Sequence, residues 1–129
     1  MTENELSFEI IGAAIEVHRC VGPGLLESAY EECLCYELLQ KKIKFDRQVW
    51  LPMRYKKALV RDKMYRLDIW VEKKVIVDIK SVETIPAVYK KQVLTYLQQT
   101  GSKLGLLLNF NVPVMKEGIE RIVLGLEDQ

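Results

Sequence analysis

The 129-residue chain has almost no charge bias: nineteen lysines and arginines against eighteen acids leave a formal net charge of +1. That excludes a strongly basic coat of the kind that binds polyanions without discrimination, and it leaves room only for a local basic groove. Cysteine is scarce as well. Cys20, Cys33 and Cys35 are an odd number and have no CxxC spacing. Cys33 and Cys35 sit two apart in a helical pattern, so their side chains point in nearly opposite directions. A disulfide framework is therefore not expected; reduced, partly buried thiols are. No long apolar run is present, and Glu3, Glu5 and Glu9 break up the start of the chain. The expectation is a soluble, unsecreted, cytoplasmic protein that does not engage a membrane. Repeats and low-complexity stretches are missing too.

What is present is enough for one folded unit. Hydrophobic residues make up 49% of the chain, and a domain of this length removes roughly two-thirds of its unfolded surface from water. Residues 1–129 are expected to form a single domain. Leu6, Ile10, Ala13, Ala14 and Val17 recur at helical spacing within a helix over Glu5–Arg19. Gly22-Pro23-Gly24 stops it, and Leu25–Lys41 forms the next helix, with Lys41 and Lys42 at its negative pole. Gln48–Tyr55 alternates as a strand, and Pro52 marks it as an edge or an interrupted one. Tyr65–Glu72 and Val75–Ser81 are two further strands. A helix over Pro86–Thr100 closes at Gly101. Lys103–Phe110 reads as a strand covered on both faces, and Ile119–Leu124 as a short last strand. The predicted fold class is α/β, a mixed sheet flanked by helices in the order ααβββαββ.

The hairpin Tyr65–Ser81 carries the chemistry. If Leu67, Ile69 and Val71 share one face and Val75, Val77 and Ile79 cover the same core, the register is restricted. Pairing Val71 with Val75 then sets Asp68 opposite Asp78, with Lys80 one strand repeat further on the same face. Directly opposed residues have Cβ atoms about 4.5–5.5 Å apart. Two ionised acids that close repel, and either a proton or a cation resolves the conflict. Mg²⁺ suits such a site, since one or two carboxylates commonly hold it together with water and phosphate. On spacing alone, a salt bridge of Lys80 with both aspartates on a solvated face explains the cluster equally well. Desolvating such a cluster costs several kcal/mol per ion, so stability is a poor reason to place it in a sheet centre.

Other candidates surround this core. Glu27 falls in the first turn of the second helix, where it is a further ligand or a partner of the positive helix pole. Glu31, one turn on, is a ligand or a solvated acid. Gln92 and Tyr96 share one face of the Pro86 helix at i,i+4, with Tyr89 near it. Arg54, Lys56, Lys57, Arg61, Lys63 and Arg66 either steer a phosphate backbone or form a solubilising charged hairpin.

These residues carry a family resemblance. Gly24-Leu-Leu-Glu27-Ser-Ala-Tyr30 reproduces the GxxExxY signature that names a group of small bacterial and archaeal proteins. His18-Arg-Cys-Val-Gly-Pro-Gly24, Tyr65-Arg-Leu-Asp68, Val77-Asp78-Ile-Lys80, Gln92-Val-Leu-Thr-Tyr96-Leu and Gly105-Leu-Leu-Leu-Asn109-Phe110 extend the likeness nearly full length. That group is similar to the PD-(D/E)xK nuclease superfamily, whose restriction-endonuclease-like core runs αβββαβ. The resemblance implies that Asp68 is the acid of the first motif and that Asp78 and Lys80 are the (D/E)xK acid and lysine. It implies Glu27 as the added acid of the first core helix, and Gln92 and Tyr96 as a QxxxY substrate-binding element. The implied metal is Mg²⁺ or Mn²⁺, held by Asp68, Asp78, the Ile79 backbone carbonyl and Glu27. The implied partner is nucleic acid, DNA rather than RNA. Two positions depart from the pattern: Leu67 stands where the first motif has proline, and Tyr89 stands near a position where histidine is common. His18 reads as a helix-end packing residue rather than a catalytic one.

The function expected is therefore a divalent-metal-dependent nuclease that hydrolyses phosphodiester bonds. The alternatives are a non-catalytic nucleic-acid- or protein-binding module that retains the fold, and an oligomerisation domain in which Asp68, Asp78 and Lys80 form a buried ion network. A chain this short covers little duplex, which makes a homodimer or larger complex plausible.

Overall fold

A computed structural model describes residues 1–129. Helices α1 (Glu3–Val21) and α2 (Glu27–Gln40) come first, then strands β1 (Phe45–Tyr55), β2 (Ala58–Val71) and β3 (Val75–Lys80). Helix α3 (Ala87–Thr100), strand β4 (Leu104–Asn109), a 3₁₀ turn (Met115–Gly118) and strand β5 (Ile119–Val123) complete the chain. The five strands form one mixed sheet in the order β1-β2-β3-β4-β5. Only β3 and β4 run parallel, with α3 as their crossover. This matches the expected order, and Pro52 does lie in an edge strand whose register shifts on either side of Met53. No helix is long and apolar enough to cross a membrane.

Each helix owes its limits to local chemistry. Thr2 and Glu5 form a capping box at the start of α1, each side chain bonding the other's backbone N–H. Gly101 ends α3 in the left-handed conformation, at φ 80°. The faces are unequal. The main core joins α1 and α2 to one side of the sheet through Leu6, Ile10, Leu34, Leu38, Val77 and Leu106. A smaller cluster of Leu51, Leu67, Ile76 and Leu97 lies under α3 on the other side. There α3 rests directly on β4: a Cβ added at Gly105 would collide with the Val93 side chain, so only glycine allows this approach.

Strand β2 starts at Ala58, seven residues earlier than expected. Ala58–Met64 is exposed throughout, so no alternation of apolar and polar residues marks it as strand. The expected face of β2 also needs correction. Ile69 and Val71 lie in the main core, but Leu67 lies in the cluster beneath α3. The cause is an irregularity shared by β1 and β2. Arg47 pairs with Ile69 and Val49 with Leu67, but the intervening Gln48 and Asp68 are not bridged. Gln48 takes φ 53°, and both Arg47 and Gln48 turn to Glu31 on α2. On β2 the counterpart is two successive side chains, Leu67 and Asp68, on the α3 side.

Candidate active site

The β2–β3 register is the expected one, Val71 with Val75 and Ile69 with Val77. The ladder ends there, one step short of Asp68 and Asp78. The Ile79 N–H donates instead to Asp68 Oδ2 at 2.8 Å. Asp68 thus leaves the ladder and closes over the backbone of β3.

Asp78 is buried at 8% exposure, in a strand whose neighbours are almost all fully buried. Lys80 Nζ lies 3.5 Å from Asp78 Oδ1. The Asp78 carboxyl is pushed up to about 7: burial raises it most, the Lys80 ammonium pulls it down, and the Asp68 carboxylate raises it further. Desolvation wins because a charge in this setting loses more hydration than one lysine at the edge of hydrogen-bonding range returns.

Helix α3 covers the group. The Lys80 ammonium sits 4.7 Å from the centroid of the Tyr89 ring, which attracts it through the negative ring face. Tyr96 is held edge-on against Tyr65, centroids 5.9 Å apart. Its hydroxyl is shifted upward, first by burial and then by the negative charge of Asp78 and Asp68, so it remains a proton donor. Gln92 is exposed, one turn before Tyr96.

The far end of β3 meets α2. The Ser81 N–H donates to Glu27 Oε2 at 3.2 Å, and Ser81 Oγ donates to the Leu25 carbonyl at 2.7 Å. Gly24 takes φ 95°, in the region that favours glycine. The Tyr30 hydroxyl donates to the Gly22 carbonyl at 2.6 Å and accepts the Leu25 N–H at 3.1 Å. Its ring stacks on Phe110 at 4.4 Å. Glycine, glutamate and tyrosine of the 24–30 segment therefore turn the loop, tether it to Ser81 and anchor it to the core.

The fold thus gathers Asp68, Asp78, Lys80 and Tyr96 around one point on the α3 side of the sheet, with Glu27 at the end of β3. No three acidic, histidine or cysteine side chains converge closely enough to hold a metal among themselves. Glu31 is a structural acid: it is buried, and Arg47 Nη2 meets its Oε2 at 2.7 Å. His18 Nε2 bonds the Val112 carbonyl at 2.8 Å and ties the end of α1 to the loop after β4. Sequence reasoning does not reach the roles of Tyr89, Arg47 and Gln48. Tyr89 is legible as an aromatic near the Gln92–Tyr96 face, but nothing in the sequence signals the Gln48 kink.

A mixed sheet with two helices on one face and one on the other, with an acid pair and a lysine at the β2–β3 junction, defines a restriction-endonuclease-like fold. A model of the PD-(D/E)XK nuclease superfamily matches residues 4–122. The chain belongs to that superfamily. No curated protein and no solved structure matches it. Membership supports a nuclease-like function with nucleic acid as its substrate.

Proposed function

We propose that this protein is a nuclease of the GxxExxY type that hydrolyses DNA phosphodiester bonds with Mg²⁺ or Mn²⁺. The observation that carries this reading is Asp78, buried, ionisable near neutrality and flanked by Asp68 and Lys80. A carboxyl held in this state invites a positive charge that a single lysine 3.5 Å away does not fully supply. Nucleases of this superfamily generally use divalent metals. The donors here fit a hard cation, because two neighbouring carboxylates with water are what Mg²⁺ takes from a protein. Asp68, Asp78, the Ile79 carbonyl and Glu27 would hold it. When bound, the cation supplies electrostatic stabilisation of charge building on the phosphate under attack.

The chain's own groups do the rest. Asp78 would serve as a ligand in its carboxylate form, so cation binding would be coupled to release of its proton to solvent. The Lys80 ammonium can hold a non-bridging phosphate oxygen or orient the attacking water from the same Nζ. Tyr89, beneath it, restricts where that ammonium points. The Tyr96 hydroxyl, kept protonated, donates to phosphate, and Gln92 extends the same helix face toward the strand that is cut. Residues on β2, β3 and helix α3 place these atoms before substrate arrives, which is the source of rate rather than of tight ground-state binding.

The test is cleavage of duplex DNA, single-stranded DNA and RNA with Mg²⁺, Mn²⁺ or chelator. DNA cleavage that needs the metal and fails in Asp78→Asn is expected. Binding without cutting, with every divalent metal, would make the protein a binding module instead.

A further inference from the structure

Beyond the core, β1 and β2 continue as a two-stranded arm, Met53–Met64, and every residue in it except Met53 is exposed. The arm adds no residue to either core cluster. An isolated two-stranded hairpin is marginal in water, so folding alone gives no reason to extend the strands this far.

The charge of the arm sets it apart. Arg54, Lys56, Lys57, Arg61 and Lys63 stand against Asp62 alone, a balance of +4. The whole chain carries +1, so everything outside the arm sums to −3. None of these five cations is in an ion pair, so all five are free to meet a ligand. The tip is unusual as well. Lys56 and Lys57 form the two-residue turn at φ 50° and 68°, a left-handed pair that asparagine and glycine normally fill. Backbone comfort is given up there in favour of two cations.

The arm also leads to the site. Strand β2 runs from the tip to Asp68 without leaving the sheet. At about 3.4 Å per residue, the ten steps from Ala58 to Asp68 span up to about 34 Å, one turn of duplex. A two-stranded ribbon is also of a size that the major groove of B-DNA admits.

We infer that the β1–β2 arm is the substrate grip: its unpaired cations bind the sugar–phosphate backbone of duplex DNA and deliver it to Asp68, Asp78 and Lys80. This rests on the nuclease reading for its substrate, but it predicts binding, which is measured apart from cleavage. Interactions of this kind read phosphates, so the grip is blind to sequence and sensitive to salt.

The experiment compares wild type with Arg54→Gln/Lys57→Gln/Arg61→Gln/Lys63→Gln, a variant altered only at exposed positions. Affinity for a mixed-sequence 30-base-pair duplex is measured in chelator across a salt series. The variant should melt with the wild type and bind at least tenfold more weakly. Its slope of log affinity against log salt should flatten by about 0.9 for each phosphate that the arm no longer neutralises. Lys57→Arg/Lys63→Arg, which keeps the charge, should bind as wild type does. Equal affinity and slope in wild type and the glutamine variant would overturn the proposal. So would equally tight, equally arm-dependent binding to phosphatidylserine vesicles, which would make the arm a membrane-surface element. Arm-dependent binding with no cleavage in any metal would retain the grip and remove the nuclease. Cleavage with arm-independent binding would do the reverse.

Discussion

Gln48 and Asp68 stand opposite one another at the one step where the β1–β2 ladder is interrupted between Phe45 and Leu51. The two departures are linked. Gln48 turns with Arg47 to Glu31 on α2, and next to Asp68 the Leu67 side chain turns to the α3 side, where Asp68 Oδ2 takes the Ile79 N–H. A regular ladder would put Gln48 and Arg47 on opposite faces and would leave Leu67 facing the main core. The Arg47–Glu31 pair therefore lies across the sheet from Asp68, beside the step at which the alternation changes.

Arg47→Ala should be destabilising for this reason. Glu31 is buried, and it would lose its charged partner. Because Arg47 itself is about one-third exposed, the loss should fall below that of a fully buried pair, on the order of 2 kcal/mol. Urea unfolding measures it. Cleavage at saturating DNA should also weaken, since relaxing the interrupted step would disturb Asp68 opposite Gln48; an unchanged rate would show that the Ile79 N–H holds Asp68 by itself.

Asp78 gives the metal-free protein a distinctive pH dependence. Its carboxyl is raised from 3.8 to about 7 on folding, chiefly by burial. Below about 4 both folded and unfolded chains hold the proton. Between about 4 and 7 only the folded chain does, so its advantage shrinks as pH rises. Above about 7 the cost is complete. Denaturation in chelator should show stability falling across this window, and Asp78→Asn should flatten that fall. A slope of the opposite sign would mean that Lys80 outweighs desolvation.

Mg²⁺ or Mn²⁺ should reverse the loss. A cation that binds only the folded state adds about 2.7 kcal/mol at a hundred times its dissociation constant, a rise in melting temperature on the order of 5–10 °C. The rise should be greater at pH 8 than at pH 5, because at the lower pH a proton must first leave Asp78. Asp78→Asn should remove most of it, and an equal rise in the variant would place the cation elsewhere.

Much of this architecture is legible in the sequence, for physical reasons that differ from element to element. Helix α1 shows in its apolar spacing and in Gly22, and α3 in Pro86 at its start and Gly101 at its end. Strand β4 shows as an unbroken apolar run. The Val71–Val75 register follows from the two apolar rows, and it places Asp78 and Lys80 on the correct side of the sheet. Simple alternation puts Leu67 on the wrong face because the unbridged Gln48–Asp68 step costs one step of alternation in each strand. Nothing in Arg47-Gln48-Val49 announces a left-handed residue, since glutamine seldom adopts one. The first half of β2 is invisible for a different reason: Ala58–Met64 buries nothing, and burial is what alternation records.

The most direct test of the central claim is turnover by Lys80→Ala beside wild type, on the same DNA and in the same Mg²⁺ buffer. Lys80 meets Asp78 and Tyr89 at the site, and its ammonium is placed to act on water or phosphate. An interaction of that kind is made chiefly in the transition state. Cleavage is expected to fall by about a hundredfold or more in the variant, with folding, DNA affinity and the metal-induced rise in melting temperature largely kept. Cleavage by Lys80→Ala at the wild-type rate would contradict a catalytic role for this lysine.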